Sequence, residues 1–141
     1  MEVAQMSVFL ENRSGGLASV VDVLARQGID IKALSVADMA DFGILRLIVQ
    51  DPDRTRDVLK EAGFTAEKTR VVAVEVPDRP GGLAQTLRTL KEQQINVEYM
   101  YSAARRSGER AIIIFRFDET GRAVEALRRS GIRVLDALDS L

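Results

Sequence analysis

Two short segments of this sequence combine glycine with polar side chains in a pattern that suits ligand chemistry. Residues 12–17 read Asn-Arg-Ser-Gly-Gly-Leu, and residues 78–83 read Asp-Arg-Pro-Gly-Gly-Leu. Glycine lets the backbone approach a ligand closely, and an amphipathic helix pattern follows each segment, so N–H groups at the helix start can hold a carboxylate. Asn12 or Asp78 supplies an oxygen that accepts from an ammonium group. The combination fits an α-amino acid zwitterion; alternatively, Asn12, Ser14 or Asp78 only caps its helix.

The two segments belong to a duplicated sequence. Asn12 and Asp78 lie 66 positions apart, and Gly-Ile-Asp-Ile at 28–31 is matched by Gln-Ile-Asn-Val at 94–97 at the same offset. A repeat of this length is too long for a solenoid and suits a small domain, which is marginal alone and needs a second unit to pack against. We therefore predict two domains, residues 1–70 and residues 71–141.

The hydrophobic pattern predicts the same order of elements, β-α-β-β-α-β, in both units. This order is typical of a ferredoxin-like α+β fold, with two helices on one face of a four-stranded antiparallel sheet. The other face needs cover, which favours pairing of units. A polar turn is expected at 105–109, and the run at 112–117 is expected to be a central strand. Strands are expected near 4–11, 29–36, 44–49 and 65–71 in the first unit, and near 72–76, 95–103, 112–117 and 132–135 in the second.

The helices are placed by apolar spacing and by the residues at their ends. Each first helix follows its glycine segment, and Gly28 is expected to end the helix of the first unit. Asp51 and Pro52 mark a helix start, while Gly63 and Gly131 mark helix ends. The residues expected on buried helix faces are Leu17, Val20, Val21, Leu24, Val58, Leu59, Ala62, Leu83, Leu87, Leu90, Ala123, Val124 and Leu127.

Composition argues against several classes of function. The 141 residues carry a net charge of −1, which gives little attraction to nucleic acid or to an anionic membrane. The chain has no Cys and no His, which removes disulfides, Cys/His zinc sites, thiol nucleophiles and Ser-His-Asp triads. We therefore expect neither an enzyme nor a cofactor or bound metal. No signal peptide or membrane-length apolar run is visible, so the expected location is the cytoplasm.

Motif, element order and duplication together resemble the ACT domain family, whose members are small regulatory modules that bind amino acids. The segment at 78–83 resembles the family's signature closely, whereas the first copy has Asn12 and Ser14 in place of Asp78 and Pro80. The whole chain resembles a stand-alone tandem-ACT amino-acid-binding protein. Its first half also resembles the regulatory subunit of acetolactate synthase, which senses a branched-chain amino acid, but its second half departs from that subunit.

The resemblance implies that a ligand lies between ACT units, where the first loop of one unit faces the second strand of a neighbour. Asn96 can both donate and accept, and the charge of Asp30 favours an ammonium group. Leu17 and Leu83 are expected to pack in the core. The implied ligand-binding residues are Asn12, Arg13, Ser14, Gly15, Gly16, Asp30, Ile31, Asp78, Arg79, Pro80, Gly81, Gly82, Asn96 and Val97.

We expect the better-formed site at the second loop, because Asp78 adds a negative charge and Pro80 stiffens the backbone. Tyr99 and Tyr101 share one face of a strand; they either stack on a ligand or pack, and packing is the commoner role of such rings. Arg46 and Arg116 each interrupt an apolar strand; either could reach a carboxylate across the sheet, and a surface position with a salt bridge is the more common arrangement.

Two functions from different classes follow from these patterns. The first is a regulatory protein that binds a small amino acid at ACT–ACT interfaces and modulates a partner metabolic enzyme or its own assembly. The second is a dimerisation or interaction module without a ligand. In both cases we expect a homodimer or a higher homo-oligomer, with no nucleic-acid partner and no membrane partner.

Overall fold

The structure is a computed structural model that describes residues 3–37, 40–107 and 110–136. Within these ranges the elements follow the predicted order, and the chain has an α+β fold made of two ferredoxin-like βαββαβ units. In chain order the elements are β1 (Val3–Glu11), α1 (Gly16–Arg26), β2 (Ile31–Ala37), β3 (Phe42–Val49), α2 (Pro52–Glu61), β4 (Thr65–Pro77), α3 (Gly82–Glu92), β5 (Val97–Ser107), β6 (Arg110–Phe117), α4 (Thr120–Arg129) and β7 (Val134–Leu135).

The described chain divides into two compact units with the same strand order. The first unit comprises Ala4–Thr69, and the second comprises the described residues from Arg70 onward together with Val3. The strands are ordered β2-β3-β1-β4 in the first unit and β5-β6-β4-β7 in the second. Each unit therefore has its first and third strands at the centre of its sheet, and β6 is the central strand that the apolar run at 112–117 predicts.

β4 is one continuous strand of 13 residues, where the sequence pattern predicts two strands at 65–71 and 72–76. It supplies the fourth strand of the first unit and the first strand of the second. No glycine, proline or asparagine occurs after Thr65 until Pro77, so no residue in this stretch favours a turn. The boundary between the two predicted strands is therefore wrong, while the segment 69–76, in which the sequence pattern shows almost no break, does lie in one strand.

Each unit has its own apolar core between its helices and its sheet. The first core contains the buried residues Met6, Val8, Leu10, Val20, Leu24, Ile29, Leu45, Leu47, Val49 and Leu59. The second core contains Val72, Val74, Val76, Leu90, Ile95, Ile113, Phe115, Phe117, Ala123, Val124, Ala126, Leu127 and Val134. Both cores are dominated by alternate strand residues and by helix residues spaced three or four apart, as a two-layer fold requires.

Leu17 and Val21 lie on an exposed flank of α1 rather than in the core. Leu17 is 45% exposed, whereas Val20 and Leu24 are fully buried. The row formed by Leu17 and Val21 is turned by about 60° around the helix from the buried row, so it falls beside the sheet. The expectation that Leu17 packs in the core is therefore wrong, while its counterpart Leu83 does pack against the second core.

α2 and the second hairpin also differ in detail from the prediction. Ala62, expected on the buried face of α2, is exposed, and the buried position is taken by Thr55. The Thr55 hydroxyl donates to the carbonyl of Asp51 at 2.7 Å, which allows a polar residue to be buried there. The turn predicted at 105–109 is shorter, because β5 continues to Ser107 and β6 begins at Arg110. Positions 108 and 109 lie outside the described residues.

The helices end at residues with positive φ, as the sequence predicts. Gly28, Gly63 and Gly131 follow α1, α2 and α4 with φ angles of 67°, 92° and 75°. The residue after α3 is not a glycine: Gln94 adopts the same left-handed conformation with a φ of 57°. A side chain is disfavoured in this conformation, so the second unit carries local strain that the first unit avoids.

An arginine joins the two helices of each unit. Arg54 of α2 donates through Nη2 to the carbonyl of Gln27 at 2.8 Å, at the C-terminal end of α1. Arg122 of α4 makes the same contact with Gln93 at the end of α3, at 2.6 Å. A positive charge at the C-terminal end of a helix satisfies a carbonyl and complements the helix dipole.

Candidate ligand site at the two strand-to-helix loops

The loop between β1 and α1 has a defined backbone. The N–H of Arg13 donates to the carbonyl of Glu11 at 2.9 Å, and the N–H of Gly16 donates to the carbonyl of Arg13 at 3.3 Å. Gly15 is the N-cap residue of α1, with a φ of 85° that favours glycine. Ser19 closes the first helical turn by donating from its N–H to the carbonyl of Gly15 at 3.0 Å.

The loop between β4 and α3 has the same hydrogen bonds at equivalent positions. Arg79 N–H donates to the carbonyl of Pro77 at 2.9 Å, and Gly82 N–H donates to the carbonyl of Arg79 at 3.0 Å. Gly81 is the N-cap residue, with a φ of 88°, and its carbonyl accepts from the N–H of Gln85 at 3.0 Å. The two loops therefore share one backbone geometry despite their different first and third side chains.

The polar residue that begins each loop does not occupy the N-cap position, which Gly15 and Gly81 take. In the first loop, the Asn12 N–H donates to the carbonyl of Asp41 at 2.8 Å. The Asn12 Nδ2 donates to the carbonyl of Ala40 at 3.3 Å, so this residue ties the loop to the start of β3. The capping alternative therefore fails in its usual form, in which the polar side chain stands at the N-cap.

The last glycine of the motif differs between the two copies. A Cβ on Gly82 would lie 2.0 Å from the carbonyl oxygen of Pro77, a distance that real Cβ atoms do not reach. A Cβ on Gly16 would lie 3.3 Å from the carbonyl oxygen of Glu11, which is a close but possible contact. Glycine is therefore required sterically in the second loop, which closes more tightly on its own strand than the first.

The predicted strand positions lie at the opposite end of the helix from the loop of the same unit. Asp30 and Asn96 are exposed, while Ile31 and Val97 are partly buried and pack against the two cores. Asn96 donates from its N–H to Oδ1 of Asp118 at 3.1 Å. Because α1 has 11 residues and each rises 1.5 Å, about 16 Å of helix separates the two groups. The structure does not bring them together within a unit.

A cleft of about 360 Å³ lies beside the first loop. It combines phenylalanine side chains with an ion pair, in which Arg13 Nε lies 3.5 Å from Glu11 Oε2. Among its residues, the sequence pattern predicts only Arg13 and Gly16 as site residues. The sequence signal for the cleft is Phe42, an aromatic residue in a segment that reads as a loop. The cleft is lined by Phe9, Leu10, Glu11, Arg13, Gly16, Ser19, Phe42, Gly63, Phe64 and Thr65.

Arg116 forms the salt bridge that the sequence predicts. Its Nε lies 3.3 Å from Glu98 Oε1, and its Nη1 donates to the carbonyl of Arg70 at 2.7 Å.

Tyr99 and Tyr101 of β5 are partly buried on one face of the strand. None of these residues lines the cleft beside the first loop.

The pKa of Asp53, on α2, is held below its ordinary value of 3.8. The main cause is a hydrogen bond from Lys68 Nζ to Asp53 Oδ1 at 2.8 Å, and the charges of Lys68 and Arg56 add to it.

Among the residues that the structure describes, no three or more Asp or Glu side chains are grouped so that they could hold a metal ion. None of the helices in these ranges has the length and apolar character needed to cross a membrane.

The fold and the duplicated loop define a pair of ACT domains. The chain belongs to the ACT domain pair family, whose sequence profile matches residues 1–138. It is similar to protein BT0572 from Bacteroides thetaiotaomicron, with 39% identity and a TM-score of 0.89 over 96% of this chain and 92% of that chain.

Two aspartate kinase proteins share the fold at lower identity. The regulatory subunit of aspartate kinase from Thermus thermophilus is 17% identical, with a TM-score of 0.63 over 89% of this chain and 90% of that chain. Aspartokinase III from E. coli, in complex with lysine and aspartate, is 15% identical, with a TM-score of 0.54 over 92% of this chain and 30% of that chain. At these identities the likeness shows the fold alone. None of the curated protein sequences compared with this chain matches it.

Proposed function

We propose that this protein binds a small amino acid at its strand-to-helix loops and thereby regulates a partner metabolic enzyme or its own assembly. The observation that carries the proposal is the backbone geometry that the two loops share, although one has Asn12 and Ser14 where the other has Asp78 and Pro80. A geometry that persists when the side chains change points to a role for the backbone. Membership of the ACT family supports an amino acid as the ligand.

The chemistry of the loops suits the two charges of an amino acid. The first turns of α1 and α3 present N–H groups and the positive end of a helix dipole, which stabilise a carboxylate. Asp78 is exposed beside the second helix start and provides a negative charge for the ammonium group. Asn12 offers only a neutral oxygen, and its side-chain nitrogen already donates to the carbonyl of Ala40. The second loop is therefore expected to bind the ammonium group more strongly.

We further propose that a homodimer or higher homo-oligomer completes the loop sites. Asp30, Ile31, Asn96 and Val97 lie about 16 Å of helix away from the loop of their own unit, so they would reach a loop only from another unit, and a second copy of the chain supplies such units. A ligand bound between copies stabilises the assembly that forms the site. It regulates by this differential affinity, because equal binding to both states shifts no equilibrium.

Thermal unfolding with each of the twenty amino acids at millimolar concentration tests the proposal. The panel includes lysine and aspartate, which are the two amino acids in the E. coli aspartokinase III complex. A ligand that binds the native state raises the melting temperature; at 100 times its Kd it adds about 2.7 kcal/mol of stability. No shift with any amino acid contradicts the proposal.

Variants of the two loops then locate the site. We expect Asp78→Ala to weaken binding about tenfold and Asn12→Ala to weaken it less, because only Asp78 carries a charge. Asp22→Ala removes an exposed acid from α1 and serves as the charge-matched control. Unchanged affinity in Asp78→Ala with lost affinity in Asn12→Ala would show that the first loop, not the second, is the principal site.

The second candidate function is a dimerisation module without a ligand, and exposed apolar residues of the first unit favour it. Leu34 and Val36 of the edge strand β2 are about half exposed, on the same sheet face as buried Leu45 and Leu47. An exposed apolar edge strand is a ready surface for pairing with another chain. Sedimentation of the wild type and of the Leu34→Lys variant tests this function. The function is supported if the variant forms a smaller assembly than the wild type and if added amino acids change the assembly size of neither protein.

A further inference from the structure

The cleft beside the first loop displays aromatic surface to solvent. Among the described residues, the phenylalanines with large exposure are Phe42, at 57%, and Phe9, at 42%. β1 pairs with β3 so that Glu11 is opposite Phe42 and Phe9 is opposite Ile44. Phe9, Glu11 and Phe42 therefore lie on one face of the sheet, where two apolar rings flank a carboxylate. Exposed apolar surface next to polar groups is typical of a binding site.

An ion pair of two exposed side chains lies at the same cleft. Arg13 Nε and Glu11 Oε2 are 3.5 Å apart, and the side chains are 75% and 66% exposed. A solvent-exposed ion pair of this kind contributes little to stability, so exchanging its partners costs little. The carboxylate of a free amino acid can replace Glu11 at the guanidinium, while its ammonium group binds Glu11.

The aromatic surface is not a consequence of the fold, because the equivalent described positions of the second unit carry no aromatic side chain. Glu75 stands at the position that corresponds to Phe9; it is only 5% exposed, and its Oε1 lies 3.6 Å from Arg133 Nη1. Arg110 has the register position in β6 that Phe42 has in β3. The equivalent backbone positions thus carry two phenylalanines in one unit and an acid and an arginine in the other.

We infer that the cleft of the first unit is a binding site for a free amino acid with a large apolar side chain, aromatic or branched aliphatic. The phenyl rings of Phe9 and Phe42 would contact that side chain, and Arg13 and Glu11 would bind its charged groups. The volume of about 360 Å³ lies at the small end of the range for ligand pockets, roughly 300–1,000 Å³, and suits a single amino acid. This inference rests on the proposed function and names the ligand class of one of its sites.

Calorimetric titration of the full chain with phenylalanine, leucine, alanine and aspartate tests the inference. We expect the wild type to bind phenylalanine or leucine at least tenfold more tightly than alanine or aspartate. In Phe42→Ala this preference should fall about tenfold, because the apolar contact is lost while the charged groups remain. Arg13→Gln should weaken the binding of all the amino acids that bind, by a similar factor for each.

Arg110→Ala is the matched control, since it alters the corresponding position of the second unit and should leave the preference unchanged. Circular dichroism of each variant verifies that the fold is retained, and Phe9→Ala provides a second test of the apolar contact if Phe42→Ala does not fold. Binding of an apolar amino acid that survives both phenylalanine changes overturns the inference, as does a wild type that binds only alanine or aspartate. In both of these cases the proposed function stands, whereas no binding of any amino acid overturns both.

Discussion

The first ACT unit has Phe9 and Phe42 on the surface beside its loop, whereas the second has Glu75 and Arg110 at the equivalent positions. Around this difference the two loops keep the same backbone hydrogen bonds and the same left-handed glycine. The comparison teaches that loop geometry and loop surroundings vary independently. Backbone hydrogen bonds keep the loop conformation constant, while the neighbouring side chains differ in charge and polarity.

The tightness of the two loops gives the largest expected difference between the units. We expect Gly82→Ala to lower the free energy of unfolding by about 3 kcal/mol, because the new Cβ meets the backbone of Pro77, which cannot move independently of β4. Gly16→Ala should cost less than about 1 kcal/mol, because Glu11 needs to shift only slightly. Urea denaturation of both variants measures the losses. Equal losses would mean that the two loops are equally tight.

The helix ends give a smaller difference of opposite sign. Gln94→Gly should raise the free energy of unfolding by about 1 kcal/mol, because glycine adopts a φ of 57° without steric strain. Gly28→Ala should lower it by about 1 kcal/mol, since φ is 67° and a Cβ there would have no neighbour within 4 Å to compensate. Thermal unfolding of both variants checks the signs. A destabilised Gln94→Gly would indicate that the glutamine side chain contributes more than its backbone strain costs.

The smallest expected effect is a pH dependence that arises from one ion pair of the first unit. The folded-state pKa of Asp53 is below its ordinary value of 3.8, so the hydrogen bond from Lys68 stabilises the fold above that value. This stability is lost as the pH falls through the lowered pKa. Lys68→Met should remove the contribution, so that wild type and variant differ at pH 7 and converge in acid. The second unit has Gly121 and Asp136 at these two positions and lacks the pair.

Acid denaturation curves of the wild type and Lys68→Met measure this contribution. Because the exposed pair is screened by solvent, the free energies of unfolding of the two proteins should differ only slightly. They should differ only at pH values above the lowered pKa of Asp53. A separation that is the same at every pH would contradict the linkage to Asp53 and would assign the effect to packing of the Lys68 stem.

The order of elements and both glycine loops were predictable because they depend on local chemistry. Gly63 and Gly131 end helices since they adopt a positive φ, and Asp51 begins α2 since its carboxylate accepts from a first-turn N–H. Local chemistry did not predict the environment of Leu17. Its apolar side chain indicates burial, but Leu17 lies on a flank of α1 that does not face the sheet, and it is exposed. Burial of a helix residue depends on where the sheet lies, which no periodicity specifies.

The cleft was not predictable for a related reason. Phe9 lies in an apolar run that reads as a buried strand, and only the pairing of β1 with β3 shows that it shares a face with exposed Phe42. Phe64 comes from the turn before β4, far along the sequence from Phe42. A cleft assembled from three separate segments depends on tertiary structure, and its residues carry no common spacing in the sequence.

The shared strand β4 also records where this duplicated gene was able to change in length. Ile31 and Val97, which begin β2 and β5, are 66 positions apart, but Phe42 and Arg110, which begin β3 and β6, are 68 apart. The second copy has therefore gained two residues, or the first has lost two, within the hairpin that joins these strands. At the junction between the copies such drift is barred, because one added residue in a strand turns every later side chain to the opposite face. The pairing of β5 with β6 shifts between Ser102 and Arg106, so an irregularity in a strand of one unit absorbs a change in length that a strand serving two units cannot.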